Sequence, residues 1–382
     1  MPKIAVDTFS SRPPFNFGGV YEYTYQMLRQ FRTLTMEYGC DVTALVGRNY
    51  TALREGFSDS ETFRIRTTRW IEFPRFWRYG GFGLQARRCK ADVAFFPSPD
   101  VLPLLTTPYV VMFHDVAYQR IANFSGAKTA RLTFLCRLIA RNATRILTNS
   151  QCSKDDVIHY YGVADNKVIV TGLSHDRQWF NEEAPDEELL RQLRRRFNLH
   201  RTYLLHHGTF QPRKNLTRLV ESYHLMLQEH PRIDCDLVLA GNMGWDFQDT
   251  LRAIGNIPAN GRVILTGGLS NPELAALVKA SALVVIPALY EGFCLPMLEA
   301  MACGVPTIVA NNSCLPEVSG GVLRYFNAES VEEIAETMRS VLLSPSEQQS
   351  LRKAGLRRAA EFSWERCANQ TLQVLRQAAM ST

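Results

Sequence analysis

Two glutamates and a pair of cations are the residue types in this chain best set for chemistry. Glu291 and Glu299 stand eight apart in the stretch ALYEGFCLPMLEAMACGVPTIVANNSCLP, residues 288–316. The apolar run at 282–287 has β character, 296–303 has helical character, Gly304 stops it, and 305–309 reads as the next strand. The loop between strand and helix therefore lies at a strand's carboxyl end, where open α/β sheets gather their ligands. Glu291 falls in that loop; Glu299 falls on the helix, about 9 Å along the axis from Phe293 at ~1.5 Å per residue. Between them the backbone N–H groups of Gly292, Phe293, Cys294 and Leu295 sit at a helix N-terminus, where orphan donors and the dipole stabilise an anion. The arrangement suits a phosphate, with one carboxylate reaching a sugar hydroxyl and the other a ribose. Arg213 and Lys214, in HGTFQPRKNL, precede a helix running to Glu229, so two cations and helix amides converge where a diphosphate could bind. Taken singly, two acids at this spacing or an RK pair in a turn are ordinarily solvated surface charges.

Elements with the right order to position these groups recur along the chain. Residues 3–8 read as a strand, SSRPPFNFGG as a loop and 20–38 as an amphipathic helix. Gly18 and Gly19 let the backbone approach a ligand closely. G-x-G-x-x-G is absent, so dinucleotide binding is not supported, and no cofactor is expected. Further strands are predicted at 40–46, 63–67, 92–97, 109–116, 145–150 and 167–172, with helices over 131–141 and from Ser150 or Ser153. The strand over 109–116 ends in His114-Asp115, a pair that by itself more often marks a hydrogen-bonded structural histidine. A charged helix over 185–200 bridges to a second set of strands at 203–208, 235–241 and 262–267. Their ends, HHG, GNMG and TGGLS, bring Gly208, Gly241, Gly267 and Leu269 to one edge, where a nucleobase would meet mainly backbone. Helices over 330–343, 347–362 and 364–379 finish the chain.

The chain has 382 residues, 46% hydrophobic and 21% charged, with a net charge of +6. That length suits two domains of ordinary composition. No run is long and apolar enough to span a membrane, and no signal-peptide pattern opens the chain, so a cytoplasmic protein is expected. Nine cysteines without a C-x-x-C pair suit buried reduced thiols rather than disulfides or zinc. The modest positive charge admits nucleotide phosphates or anionic lipid and does not argue for nucleic acid. Asp234-Cys-Asp236 spells a D-x-D but opens a strand, at the edge away from the ligand loops, so no metal site is expected there. From Arg64 to Lys90 eight basic residues and one acidic alternate with Trp70, Phe73, Phe76, Trp77, Tyr79 and Phe82. Such interleaving fits an anionic membrane surface on the inner face of the cell membrane, equally an oligosaccharide or a single-stranded nucleic acid, or an acceptor-side loop whose rings pack inward.

EGFCLPMLEAMACGVP, with E-x7-E around GF-x-LP and A-x-GVP after it, resembles the retaining glycosyltransferases of family GT4. HGTFQPRKNL resembles the same family's phosphate clamp, and the order of elements matches over nearly the whole chain. The resemblance implies the GT-B form of the α/β class: two Rossmann-like domains facing across a cleft. Residues 1–182 would form the acceptor-side domain with the helix at 364–382 packed back on it, and 183–363 the donor domain. It implies metal-independent hexosyl transfer from a nucleotide-diphosphate sugar to a glycan or lipid-linked acceptor in polysaccharide biosynthesis. GDP-mannose comes ahead of UDP-glucose and UDP-N-acetylglucosamine. Glu291 would hold the sugar hydroxyls, Glu299 the ribose, Lys214 and Arg213 the diphosphate, and His114 the donor sugar, with Asp115 a contact or orienter. Gly18 and Gly19 would lie near donor diphosphate and acceptor. Two positions depart from the family pattern: Thr209 stands where many members have arginine, and Cys294 where glycine is usual. A UDP-N-acetylglucosamine 2-epimerase of the same fold and a non-catalytic sugar-nucleotide-binding protein are the rival readings.

Overall fold

The computed structural model describes residues 1–11, 18–100, 107–121, 126–257 and 260–380. The chain divides into two compact units, residues 1–173 with 363–382, and residues 174–362. The first unit ends at Leu173, short of the expected limit at 182. The helix Glu187–Phe197, expected as a bridge, lies wholly in the second unit; it buries Leu190 and Leu193, and Arg196 pairs with Glu273 at 3.1 Å.

In the first unit the strands are β1 (Lys3–Asp7), β2 (Asp41–Val46), β3 (Phe63–Thr67), β4 (Val93–Phe96), β5 (Tyr109–Phe113), β6 (Arg145–Thr148) and β7 (Val168–Val170). They pair in parallel in the order β3-β2-β1-β4-β5-β6-β7. Every residue of β4 and β5 is buried, as a parallel sheet covered on both faces requires. Alternation along a strand assigns the covers. Phe95 meets Phe31 of the Gly19–Leu34 helix at 6.2 Å, whereas Phe96 turns the other way to Phe82 of the Phe82–Arg88 helix at 4.7 Å. The last helix, Trp364–Met380, joins the first of these faces, with Trp364 6.2 Å from Tyr23.

The second unit repeats the plan with β8 (Thr202–His207), β9 (Cys235–Ala240), β10 (Val263–Gly267), β11 (Leu283–Ile286), β12 (Thr307–Ala310) and β13 (Arg324–Phe326), all parallel in the order β10-β9-β8-β11-β12-β13. Strand β13 is three residues long, too short for the period-2 pattern that finds strands in sequence. β5 stops at Phe113, three residues before the expected end, and the first helix stops at Leu34 rather than 38. The D-x-D opens β9 as anticipated. Buried Asp236 lies between Arg201 and Arg262, each 3.8 Å away, and Asp234 pairs with Arg201 at 3.0 Å.

The basic-aromatic stretch is a chain of short helical turns rather than a loop: Trp70–Glu72, Pro74–Phe76, Trp77–Gly81 and Phe82–Arg88. Its rings divide. Trp77 and Phe82 are buried, Trp77 Nε1 donating to Asp7 Oδ1 at 2.8 Å, so neither is available to a membrane. Phe73, Phe76 and Tyr79 are exposed.

Candidate functional site

Carboxyl ends of the second sheet's strands assemble most of the residues singled out by the sequence. Three adjacent strands end in glycines with φ of 131° at Gly208, 150° at Gly241 and 70° at Gly267, a region that L side chains rarely enter. Their backbones interlock: Gly208 N–H donates to Ala240 O, and Gly241 N–H to Gly267 O. A Cβ on Gly241 would stand 2.0 Å from Gly208 O, so glycine is required there by packing. Thr209 is exposed and Leu269 half-buried beside these turns.

The Pro212–Lys214 turn is held by a residue the sequence reading passed over. Asn215, buried and at φ 60°, donates through Nδ2 to Pro287 O after β11 (3.0 Å) and Ala328 O after β13 (2.7 Å). Leu289 N–H donates back to Arg213 O at 2.8 Å. The turn is thereby fixed against the loop that carries Glu291. Lys214 Nζ donates to Glu291 Oε1 at 2.5 Å, and Arg213 Nη1 to Glu291 Oε2 at 2.6 Å and to Tyr290 O at 3.1 Å. Gln211 Oε1 accepts from Arg213 Nε, and Ser313 Oγ accepts from Glu291 N–H at 3.1 Å. Asn312 ties that serine and the Ala288 carbonyl together. Gln211, Asn215, Asn312 and Ser313 are thus supporting residues. Their sequence signal was an Asn where φ > 0 is needed, and the NNS run after β12.

Electrostatics follow from this geometry. Burial alone would raise the Glu291 carboxyl, but Arg213 and Lys214 outweigh it and hold the pKa near about 2. The carboxylate with its two cations is a cluster of net charge +1, Glu291 and Lys214 buried and Arg213 half-buried. A Cβ built on Gly208 would lie 3.7 Å from Lys214 Nζ and 3.8 Å from Pro296 Cγ, so the missing side chain leaves room beside the ammonium and the start of the Leu295–Ala302 helix. Cys294 caps that helix at φ 73°, ψ 70°, which gives the physical reason for glycine in the resembling family. Burial pushes its thiol up to about 12, so it is a neutral group rather than a nucleophile. Gly292 is buried; Phe293 is buried too and packs edge-on against Phe362, offering a ligand its backbone only. Leu295 is half-buried. Glu299, one helical turn on, brings Oε2 to 3.5 Å from His207 Nδ1. His206 and His207 are buried and held neutral, chiefly by desolvation, with pKa values near about 4 and about 3.

The first unit holds the rest. Gly18, at φ 97°, precedes the Gly19–Leu34 helix and accepts from Glu22 N–H; most of the loop before it, residues 12–17, lies outside the described residues. His114 Nε2 is 2.8 Å from Pro97 O, its ring stands edge-on to Tyr23 at 4.9 Å, and burial lowers its pKa. Asp115 Oδ1 accepts from Ala117 N–H, so it shapes the turn after β5. Sequence reasoning missed Asp100, which follows β4 and accepts from Ser10 Oγ (2.5 Å) and Ser98 Oγ (3.0 Å).

Comparison with known proteins gives two family models. The one described as Glycosyltransferase Family 4 matches residues 17–177, and Glycosyl transferases group 1 matches residues 191–358. The chain is 31% identical over 231 residues to an O-antigen chain mannosyltransferase B of Escherichia coli, covering 60% of each chain. It is 29% identical to a serotype-specific mannosyltransferase WbdA of the same species, of which it spans 28%. With an MMP alpha-(1->4)-mannosyltransferase of Mycolicibacterium hassiacum it shares 27% over 342 residues, 86% of this chain and 77% of that one. The chain therefore spans less than two thirds of the length of the first two relatives. Among solved structures, Anabaena HepE in complex with UDP and glucose superposes with a TM-score of 0.76 at 17% identity, covering 99% of this chain and 100% of that one. Sucrose-phosphate synthase from Thermosynechococcus elongatus superposes at 0.77, also at 17% identity, with both chains fully covered. At these identities the superpositions establish the fold, which is GT-B.

Proposed function

Because this chain belongs to glycosyltransferase family 4, we propose that it transfers a hexose from a nucleotide-diphosphate sugar to a glycan or lipid-linked acceptor, with retention and without a metal. The observation that carries the reading is the buried pairing of Arg213 and Lys214 on Glu291, at the carboxyl ends of adjacent strands and beside the opening at Gly208. A departing nucleoside diphosphate gains negative charge as the anomeric C–O bond breaks. Two preformed cations in a desolvated setting stabilise that charge in the transition state, a term of about 3–4 kcal/mol for a single well-placed donor. Glu291 itself is a poor general acid, because its proton is lost near pH 2. It is also a weak nucleophile, since both its oxygens already accept from cations. Leaving-group departure thus runs on charge stabilisation, and the acceptor's hydroxyl proton passes to the departing phosphate oxygen on the same face. In this reading Glu291 shifts from the cations to the sugar hydroxyls when the diphosphate arrives, Glu299 takes the ribose, and His114 takes the sugar. Gly18, Gly19 and the glycine turns at 208, 241 and 267 give backbone contacts.

Mannose is favoured by the named activities of the relatives, and GDP as its carrier by the motif resemblance of LYEGFCLPMLEAMACGVP and GTFQPRKN alone; UDP-glucose is the next choice, since HepE is seen with UDP and glucose. The test is a panel of GDP-mannose, UDP-glucose and UDP-N-acetylglucosamine, followed by thermal shift and slow hydrolysis with and without EDTA. Selective stabilisation by one sugar nucleotide, with EDTA-resistant turnover, is expected. Turnover abolished by EDTA, or conversion of donor to its epimer without acceptor, would overturn the assignment. A His114→Ala variant should lose turnover while keeping its affinity for nucleoside diphosphate.

A further inference from the structure

One face of the first sheet is both strongly basic and apolar. Phe82 packs on Phe96, Phe96 lies 5.7 Å from Tyr109, and the Tyr109 hydroxyl donates to Ile139 O at 2.7 Å. That chain of contacts puts the Phe82–Arg88 and Gly126–Asn142 helices on the same side of the sheet. Outward from them point Leu84, 50% exposed, and Phe134, 66% exposed; the turns just before add Phe73, 57% exposed. Arg75, Arg88 and Arg131 are exposed on the same short segments, each within four residues of one of these apolar side chains. Arg131, Phe134, Leu138 and Arg141 recur at helical spacing, so cations and apolar groups share one outer stripe.

Basic residues are concentrated in the two segments that carry this face, with Arg64 paired to Asp41 and Arg78 to Asp100. Residues 64–90 and 126–142 hold twelve basic residues and one acidic, while the whole chain carries only +6, so everything outside them is net negative. A protein partner would meet an interface whose centre is depleted of charge; here each exposed apolar residue has an arginine within one helical turn. Rings at headgroup depth with cations meeting lipid phosphates are the pattern of an interfacial surface.

We infer that this face docks the protein on an anionic lipid bilayer, through Phe73, Leu84 and Phe134 inserted among headgroups and Arg75, Arg88 and Arg131 paired with lipid phosphates. Trp77, which the sequence pattern includes, takes no part because it is buried against Asp7. The inference does not depend on the proposed activity.

Flotation of the full chain with vesicles tests it, using phosphatidylcholine alone and phosphatidylcholine mixed with phosphatidylglycerol. One variant combines Arg75→Glu, Arg88→Glu and Arg131→Glu; a second combines Phe73→Ser, Leu84→Ser and Phe134→Ser. All six side chains are exposed, and thermal melts check that both variants fold. Binding is expected only with the anionic vesicles and should be released by salt. Each arginine near the surface accounts for roughly fivefold in partitioning, about 1 kcal/mol, so the charge variant should bind at least about a hundredfold more weakly. The apolar variant, at unchanged net charge, should lose roughly tenfold or more. Equal flotation with both vesicle types, none with either, or full binding by the apolar variant would overturn the inference. The last outcome would mark a purely electrostatic surface into which no side chain inserts. Wild-type dimers that the apolar variant splits to monomers, with no vesicle binding, would assign the face to a second copy of the chain.

Discussion

Replacing Glu291 with glutamine removes one charge and almost no volume from the buried cluster. Lys214 is 6% exposed and Glu291 4%, so neither has water to turn to, and the cluster passes from +1 to +2 with its two cations still side by side. Breaking a buried pair by removing one partner typically costs about 3–5 kcal/mol. For a unit of this size, melting falls by about 2–4 °C per kcal/mol, so Glu291→Gln should melt roughly 10 °C lower than the wild type. Pyrophosphate or a nucleoside diphosphate supplies the missing negative charge, so the variant should regain much of that loss on binding and show a larger ligand-induced shift than the wild type. Differential scanning fluorimetry with and without pyrophosphate reads both effects. A variant that melts within about 2 °C of the wild type without ligand would refute the claim that these three side chains form one electrostatic unit.

Further expectations concern pH and packing. His175, His206 and His207 are buried and neutral in the second unit, with pKa values near about 4, about 4 and about 3. The unfolded chain protonates near 6.5, so stability is lost as pH falls below that value, by about 2 kcal/mol per histidine at pH 5. In the first unit Asp7, raised to about 7 by burial, works oppositely: the folded state retains its proton better than the unfolded, so acidification from pH 7 towards 4 favours folding. Hydrogen exchange resolved by unit, at pH 7.5 and 5, should show the second unit loosening first, and equal protection at both pH values would contradict this. Gly241→Ala places a Cβ 2.0 Å from Gly208 O at a φ of 150°, so it should cost more than about 3 kcal/mol or abolish soluble expression, checked by urea denaturation. Trp77→Phe keeps the ring but leaves buried Asp7 without its 2.8 Å donor, for a loss of about 1–3 kcal/mol in the same assay.

The alternation of apolar strand runs with helical periodicity was legible in the residues alone, because each β-α repeat must bury one stripe of its helix on the sheet. So were the places where the chain had to turn at a strand's carboxyl end, and most of the chemically apt side chains are there: Glu291, Lys214, Arg213, His114. Tertiary structure decided which groups touch. Nothing local links position 213 or 214 to 291, 77 residues and more away; the contact exists because β8 and β11 are sheet neighbours and Asn215 pins one loop to the other. Glycine at 241 was legible as a strand-end residue with its backbone open to a ligand; that the adjacent strand end also requires it for packing was not. The basic-aromatic stretch was equally ambiguous, since ring orientation there follows no period: Trp77 turns inward to reach Asp7 while Phe73 stays in solvent. Sequence sets what each residue can do and along which element it lies; pairing across the sheet, which is non-local, sets what it meets.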